Sequence, residues 1–106
     1  MKVQIRPTAL EDLSRGYRFY DMQELGVGAY FFDSVSADID SLALYAGVHP
    51  KVFGYHRMLA RRFPYAVYYG FEKNVVVTVW RVLDLRRDPK SIRRSLESIQ
   101  SEHSTE

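Results

Sequence analysis

A chain of 106 residues with 46% apolar and 14% aromatic side chains has room for one compact domain, and enough apolar content for one packed core. It has no cysteine, which excludes disulfides, thiolate nucleophiles and Cys-ligated zinc. The net charge of +2 is unevenly spread: residues 1–50 hold four Lys/Arg against seven Asp/Glu, residues 51–94 hold eleven against three, and residues 95–106 hold three Glu. The basic middle predicts a positive surface suited to a phosphate backbone or an acidic protein segment. The competing reading is that these are the solvated side chains of exposed strand faces. The N-terminus lacks a signal-like apolar region, and no run approaches the roughly 20 apolar residues of a membrane span. A cytoplasmic protein without membrane contact is expected.

Lys2 to Arg6 alternates polar and apolar residues and predicts a short strand stopped by Pro7. Thr8-Ala9-Leu10-Glu11 has capping-box spacing. Leu10, Leu13, Tyr17 and Tyr20 recur at threes and fours, which predicts a helix over about 8–23 with that stripe buried. Gly26-Val27-Gly28 breaks the pattern. Phe32, Val35, Ile39, Leu42 and Ala46 then mark a second amphipathic helix ending near Gly47. Two helices joined by a short glycine loop should pack as an antiparallel hairpin, with Asp12, Asp21, Asp33 and Asp40 facing water.

Pro50 marks the way out of the helices. Neither parity of residues 52–62 is cleanly apolar, and the reading is a strand from about Tyr55 to Arg62. Phe63, Tyr65, Val67, Tyr69 and Phe71 fall on one face of the next strand, with Pro64, Ala66, Tyr68, Gly70 and Glu72 on the other. Glu72-Lys73-Asn74 supplies a turn, and Val75 to Leu83 a β-branched partner strand. These three strands predict an antiparallel meander, with the helical hairpin on one face and the other face left to a partner. Asp88 and Pro89 have the N-cap and first-turn chemistry of a helix. Ile92, Leu96 and Ile99 follow at helical spacing, with Lys90, Arg93 and Arg94 between them. That short amphipathic helix could dock on its own sheet, pair with another copy or receive a partner. Gln100 to Glu106 is polar and expected to fray. The expected fold is α+β, in the order β-α-α-β-β-β plus a short C-terminal helix, with residues 1–90 as the domain and 91–106 as helix and tail.

No phosphate-binding glycine loop, zinc spacing or Ser-His-Asp set is evident. His49, His56 and His103 are too scattered to suggest a metal site, and no cofactor is expected. Exposed aromatics such as Trp80 could stack on bases, but alternating strand aromatics usually pack in cores, so Tyr65 and Tyr69 are read as core. Tyr68, on the opposite face with Ala66, is the better partner contact, together with Ile92, Leu96 and Ile99.

The element order, with Arg62-Phe63-Pro64-Tyr65-Ala66-Val67-Tyr68-Tyr69 and Arg86-Arg87-Asp88-Pro89 at their observed separation, resembles the RelE/ParE superfamily of toxins from bacterial type II toxin–antitoxin modules. The resemblance covers roughly residues 2–90. It implies a small toxin held inactive by a cognate antitoxin that wraps a segment over it. RelE-type members are ribosome-dependent endoribonucleases that use basic side chains on the sheet, plus an Arg and often a Tyr beyond the last strand. The corresponding positions here read His56, Met58, Ala66, Leu85 and Ser91, of which only His56 can titrate. ParE-type members inhibit DNA gyrase through a binding surface, and the Phe-Pro-Tyr and Arg-Arg-Asp-Pro signatures sit more naturally there. Asp84 stands where a His is common, and Leu85 where a small residue is common.

What the resemblance implies is a plasmid-stabilisation-type toxin closer to the ParE branch, contacting gyrase through Arg81, Arg86, Arg87, Lys90, Arg93 and Arg94. The structural alternative for Arg86 and Arg87 is that they anchor Asp88 and the sheet edge. A second functional reading is a ribosome-dependent mRNA endoribonuclease of RelE type, with His56, Arg57, Arg61 and Arg62 rearranged for phosphate chemistry. A third is a toxin fold that has lost toxicity and serves as an antitoxin partner or co-repressor. A homodimer is compatible with all three.

Overall fold

The computed structural model describes residues 1–73 and 75–104. Strand β1 (Lys2–Ile5) leads into helices α1 (Pro7–Gln23) and α2 (Val27–Asp40) and a single turn, α3 (Leu42–Tyr45). Strands β2 (Lys51–Val52), β3 (Tyr55–Leu59), β4 (Tyr65–Glu72) and β5 (Val76–Asp84) follow, and α4 (Pro89–Ser104) ends the described chain. The five strands form one sheet in the order β1-β5-β4-β3-β2. Only the β1–β5 pair is parallel. This is the α+β architecture the periodicities predict, with a two-residue β2 added at the far edge.

Alternation along β4 sorts its side chains as expected. Tyr65, Val67 and Tyr69 face the helical hairpin and pack with Leu13, Tyr20, Phe31, Val35 and Ile39. Burial of each such side chain contributes about 1.5–3 kcal/mol. The hairpin's seam is shifted from the expected stripe, however. Ala9, Leu13, Gly16 and Tyr20 face inward, whereas Leu10 and Tyr17 are 47% and 38% exposed. Phe31 takes the buried position expected of Phe32. Small residues decide this: a Cβ on Gly16 would sit 2.5 Å from the Phe31 ring, so only glycine lets that ring in. Gly28 serves the same end on α2, where a Cβ would lie 2.6 Å from the Tyr17 carbonyl oxygen.

Two expectations at the start of α1 are corrected together. Arg6 is the N-cap and Pro7 opens the helix, so Thr8 is not a cap. Asp12 is 5% exposed and does not face water. Strand β1 ends at Ile5 opposite Val79, which leaves the rest of that edge of β5 without a strand neighbour. Side chains of α1 take over: Thr8 Oγ1 donates to the Trp80 carbonyl at 3.2 Å, and Asp12 Oδ2 accepts from the Val82 N–H at 2.9 Å. Buried backbone groups must find partners, and here a helix supplies them. Asp21 is likewise employed, accepting from the N–H groups of Gly26 and Gly28.

The second face of the sheet is not open. Ala66, Tyr68 and Leu83 pack under Ile92, Leu96 and Ile99 of α4. The molecule is therefore a helix–sheet–helix sandwich in which α4 completes the second core. Asp88 caps α4 by accepting from the Lys90 N–H at 3.0 Å, as its sequence suggests. The backbone stays helical through Ser104, where fraying was expected. Thr105, Glu106 and the Asn74 expected in the β4–β5 turn lie outside the described residues. Strand β3 stops at Leu59, short of the expected Arg62. It is joined to β2 by a two-residue turn in which Phe53 (φ 54°) and Gly54 (φ 88°) are both left-handed.

Candidate functional site

The basic corner forms where β5 turns into α4. Arg86 is clamped to Asp84: its Nε and Nη2 donate to the two carboxylate oxygens at 2.9 and 2.8 Å. The guanidinium lies 5.4 Å over the Phe19 ring and 5.9 Å from Tyr20. Burial pushes the Asp84 carboxyl up, but the hydrogen bonds from Arg86 outweigh it and hold the group below the usual carboxylate range. Burial, followed by the Asp84 charge, pushes the Tyr65 phenol up to about 12. Arg87 Nη2 donates to Ser91 Oγ at 2.6 Å and Ser95 Oγ at 3.1 Å, tying the corner to the first turns of α4.

Arg81 turns inward, where Nε and Nη2 donate to Asp12 at 2.7 and 2.9 Å. A β-bulge assists: Tyr68 pairs with Arg81 and Tyr69 with Val79, which leaves Trp80 as the extra residue on β5. Of the six side chains expected to meet a target, Arg81, Arg86 and Arg87 thus hold the fold's own elements together. Lys90, Arg93 and Arg94 stand on the exposed side of α4. Arg93 pairs with Glu97 at 2.9 Å and lies 5.4 Å over the Phe53 ring.

The four residues of the endoribonuclease reading do not converge. The His56 ring stacks on Tyr69 at 5.1 Å on the hairpin side of the sheet, with Nδ1–H donating to the His49 carbonyl at 2.7 Å. Arg57 belongs to the α4 side, in a pocket with Tyr68 and Ile92. Arg61 enters the loop after β3, its N–H donating to Asp38 Oδ2 at 3.0 Å. Arg62 lies 6.0 Å from the Tyr30 ring on α2. The RelE-type positions are no closer to a catalytic set: Met58 and Ala66 are buried in different cores, and Ser91 accepts from Arg87.

The partner-contact expectation is corrected for exposure. Tyr68 is 1% exposed, beneath the helix that carries Ile92, Leu96 and Ile99. Its small-residue neighbour Ala66 packs in the same cluster as these α4 side chains.

Sequence reasoning missed two features. His49 and His56 meet at Tyr69: the Tyr69 hydroxyl accepts from the Gly47 N–H at 2.8 Å and lies 2.6 Å from His49 Nδ1. The hydroxyl keeps a second lone pair as well as its proton, so it can pair with either tautomer of the His49 ring. Burial, then the neighbouring His56, holds His49 below its usual pKa. Residues 20 apart with no shared motif gave no signal for this. The second is a pocket of about 280 Å³ between the β2–β3 turn and the start of α4, lined by Val52, Phe53, Arg57, Tyr68, Leu85, Pro89 and Ile92. A Phe-Gly pair between two short strand-like runs was its only trace. Among the described residues, no group of three or more His, Cys, Asp or Glu could hold a metal, and no helix is long and apolar enough to cross a membrane.

A hairpin of helices and a C-terminal helix sandwiching a five-stranded sheet, with a basic corner where the last strand meets that helix, defines a small α+β protein. Among solved structures, it is similar to a chain of the chromosomal ParDE TA system from P. aeruginosa, at 16% identity and a TM-score of 0.73, over 80% of this chain and 96% of that one. The chain thus shares the fold of that ParDE chain. No protein-family model matches the chain, and no curated protein does.

Proposed function

We propose that this protein is the toxin of a type II toxin–antitoxin module, neutralised by a cognate antitoxin, and that it acts on DNA gyrase as a binding inhibitor. The observation that carries the reading is the likeness to a ParDE chain over 96% of its length. The dispersal of His56, Arg57, Arg61 and Arg62 over separate surfaces favours inhibition over RNA cleavage, which needs acid, base and phosphate-binding groups around one point. Lys90, Arg93 and Arg94 supply the charge for contact with the target, because the remaining arginines of the corner are engaged within the fold. The antitoxin has a surface available in the groove of about 370 Å³ on the outer side of the hairpin, between Tyr17 and Phe32, where apolar rings are exposed.

The test is a supercoiling assay with purified gyrase, relaxed plasmid and a titration of this protein. Loss of supercoiling with accumulation of linear DNA is the expected result. No effect from the folded protein, combined with ribosome-dependent cleavage of mRNA, would overturn the gyrase assignment in favour of a RelE-type activity.

A further inference from the structure

The groove of about 370 Å³ on the outer face of the helical hairpin has two matched walls: Ser14, Tyr17 and Arg18 on α1, and Ala29, Phe32 and Asp33 on α2. Tyr17 and Phe32 keep more than a third of their surface in water, at 38% and 37%. Leu10 precedes Ser14 by one helical turn on the same face of α1 and continues the apolar surface. Ser14 and Ala29 are small, so a second helix can come close between the rings.

The charges on the walls are opposite. Arg18 and Asp33 are both exposed, and among the described residues neither takes part in an ion pair. Each wall therefore presents one ring, one small residue and one unpaired charge, with the sign reversed between them. A uniformly acidic or basic partner would satisfy one wall and oppose the other. A second copy satisfies both. Turned about a two-fold axis running along the hairpin, it sets its α2 against α1 of the first copy, so that Arg18 faces Asp33 of the second copy and the same pair recurs on the other side.

We propose that the outer face of the hairpin is a homodimer interface, with Tyr17 and Phe32 at its apolar centre and two reciprocal Arg18–Asp33 pairs flanking them. Two hairpin faces, each about 25 Å long and 20 Å wide, would cover roughly 1,000 Å² in all, the size of a weak and reversible contact. An antitoxin segment entering this groove would have to displace the second copy. That competition rests on the toxin reading; the self-association does not.

The experiment is sedimentation equilibrium of the full chain from about 1 to 500 µM, a range that brackets a contact of this size. A reversible monomer–dimer equilibrium is expected. Arg18→Asp and Asp33→Arg each set like charges against one another and should weaken the dimer about tenfold or more. Both changes in one chain should restore it. An equimolar mixture of the two single variants should form a heterodimer, because one then presents two carboxylates and the other two guanidinium groups. A monomer at every concentration would overturn the proposal and leave the groove to the antitoxin alone. A dimer indifferent to both single variants would overturn it as well, placing self-association on another surface, and failure of both the double variant and the mixture to restore the dimer would overturn the two-fold pairing. If a charge variant fails to fold by circular dichroism, Ala29→Glu, an exposed position in the same groove, decides: an undiminished dimer would overturn the proposal. The gyrase assay is separate, so inhibition by a strictly monomeric chain would remove the dimer and leave the functional reading in place.

Discussion

Asp12 on the first helix and Arg81 on the last strand form a two-pronged ion pair across 69 residues of sequence, at 2.7 and 2.9 Å. The same carboxylate also accepts from the Val82 N–H. Both side chains look like surface charges in the sequence, and both are structural. Removing one partner of a buried pair leaves the other uncompensated and costs about 3–5 kcal/mol. Asp12→Ala should therefore lower the urea-unfolding free energy by that amount. Asp12→Leu combined with Arg81→Met should recover only part of it, because two apolar groups leave no stranded charge but the Val82 N–H loses its acceptor. A loss of under about 1 kcal/mol for Asp12→Ala, the range of a surface pair, would mean that the contact does not hold α1 to the sheet.

Gly28 is where α2 comes closest to α1. An added Cβ would meet the Tyr17 carbonyl at 2.6 Å and the Asp21 Cβ at 2.8 Å, and backbone cannot step aside as a flexible side chain can. Gly28→Ala should cost about 1–3 kcal/mol by overpacking, despite the better helix propensity of alanine. Thermal unfolding followed by circular dichroism checks this, and an unchanged midpoint would mean that the hairpin packs more loosely than the distances say.

His49 makes stability depend on pH. Burial, and then the neighbouring His56, depresses its folded pKa below the ordinary 6.5. The unfolded chain thus takes the proton more readily, so the contribution is complete above about pH 6.5 and is lost as pH falls through that value toward the folded pKa. Urea midpoints taken between pH 7.5 and 5.5, roughly spanning that window, should fall with acidification, and His49→Asn should flatten the profile. Tyr69→Phe removes the hydroxyl that pairs with His49 and accepts from Gly47; it should cost about 1 kcal/mol.

The corner and the exposed face of α4 should separate in a functional assay. Lys90→Glu with Arg94→Glu should leave the unfolding curve in place and raise the protein concentration needed for half-inhibition of gyrase about tenfold, with the gap closing at high salt. Arg86→Ala should instead lower stability, since it frees Asp84 from its clamp. If the Lys90 and Arg94 changes leave inhibition untouched, the target contact lies elsewhere.

The sequence revealed elements wherever large residues recur with one period, as along β4 from Phe63 to Phe71. It misled where small residues decide the contact. Ala9, Gly16 and Gly28 define the α1–α2 seam, and a stripe built from Leu10, Tyr17 and Phe32 points about one position astray. Charged residues misled for the opposite reason: Asp12 and Arg81 look solvated until the partner 69 positions away is known. The Arg-Arg-Asp-Pro turn was read in the right place. Which of its arginines face solvent follows from Asp84, Ser91 and Ser95, whose positions depend on the turn itself. The pocket beside Arg57 was beyond reach because its walls come from four separate stretches of chain.

The exchange of β1 for the side chains of Thr8 and Asp12 along β5 has a bearing on whether another chain can add itself to this edge. An exposed strand edge is a template onto which another chain can add itself. Beyond Val79, the Trp80 carbonyl and the Val82 N–H are already occupied by a helix that cannot be extended as a ladder. A variant without the Thr8 hydroxyl and the Asp12 carboxylate would therefore do more than weaken α1. It would uncover a sticky margin, and its characteristic failure would be polymerisation rather than simple unfolding.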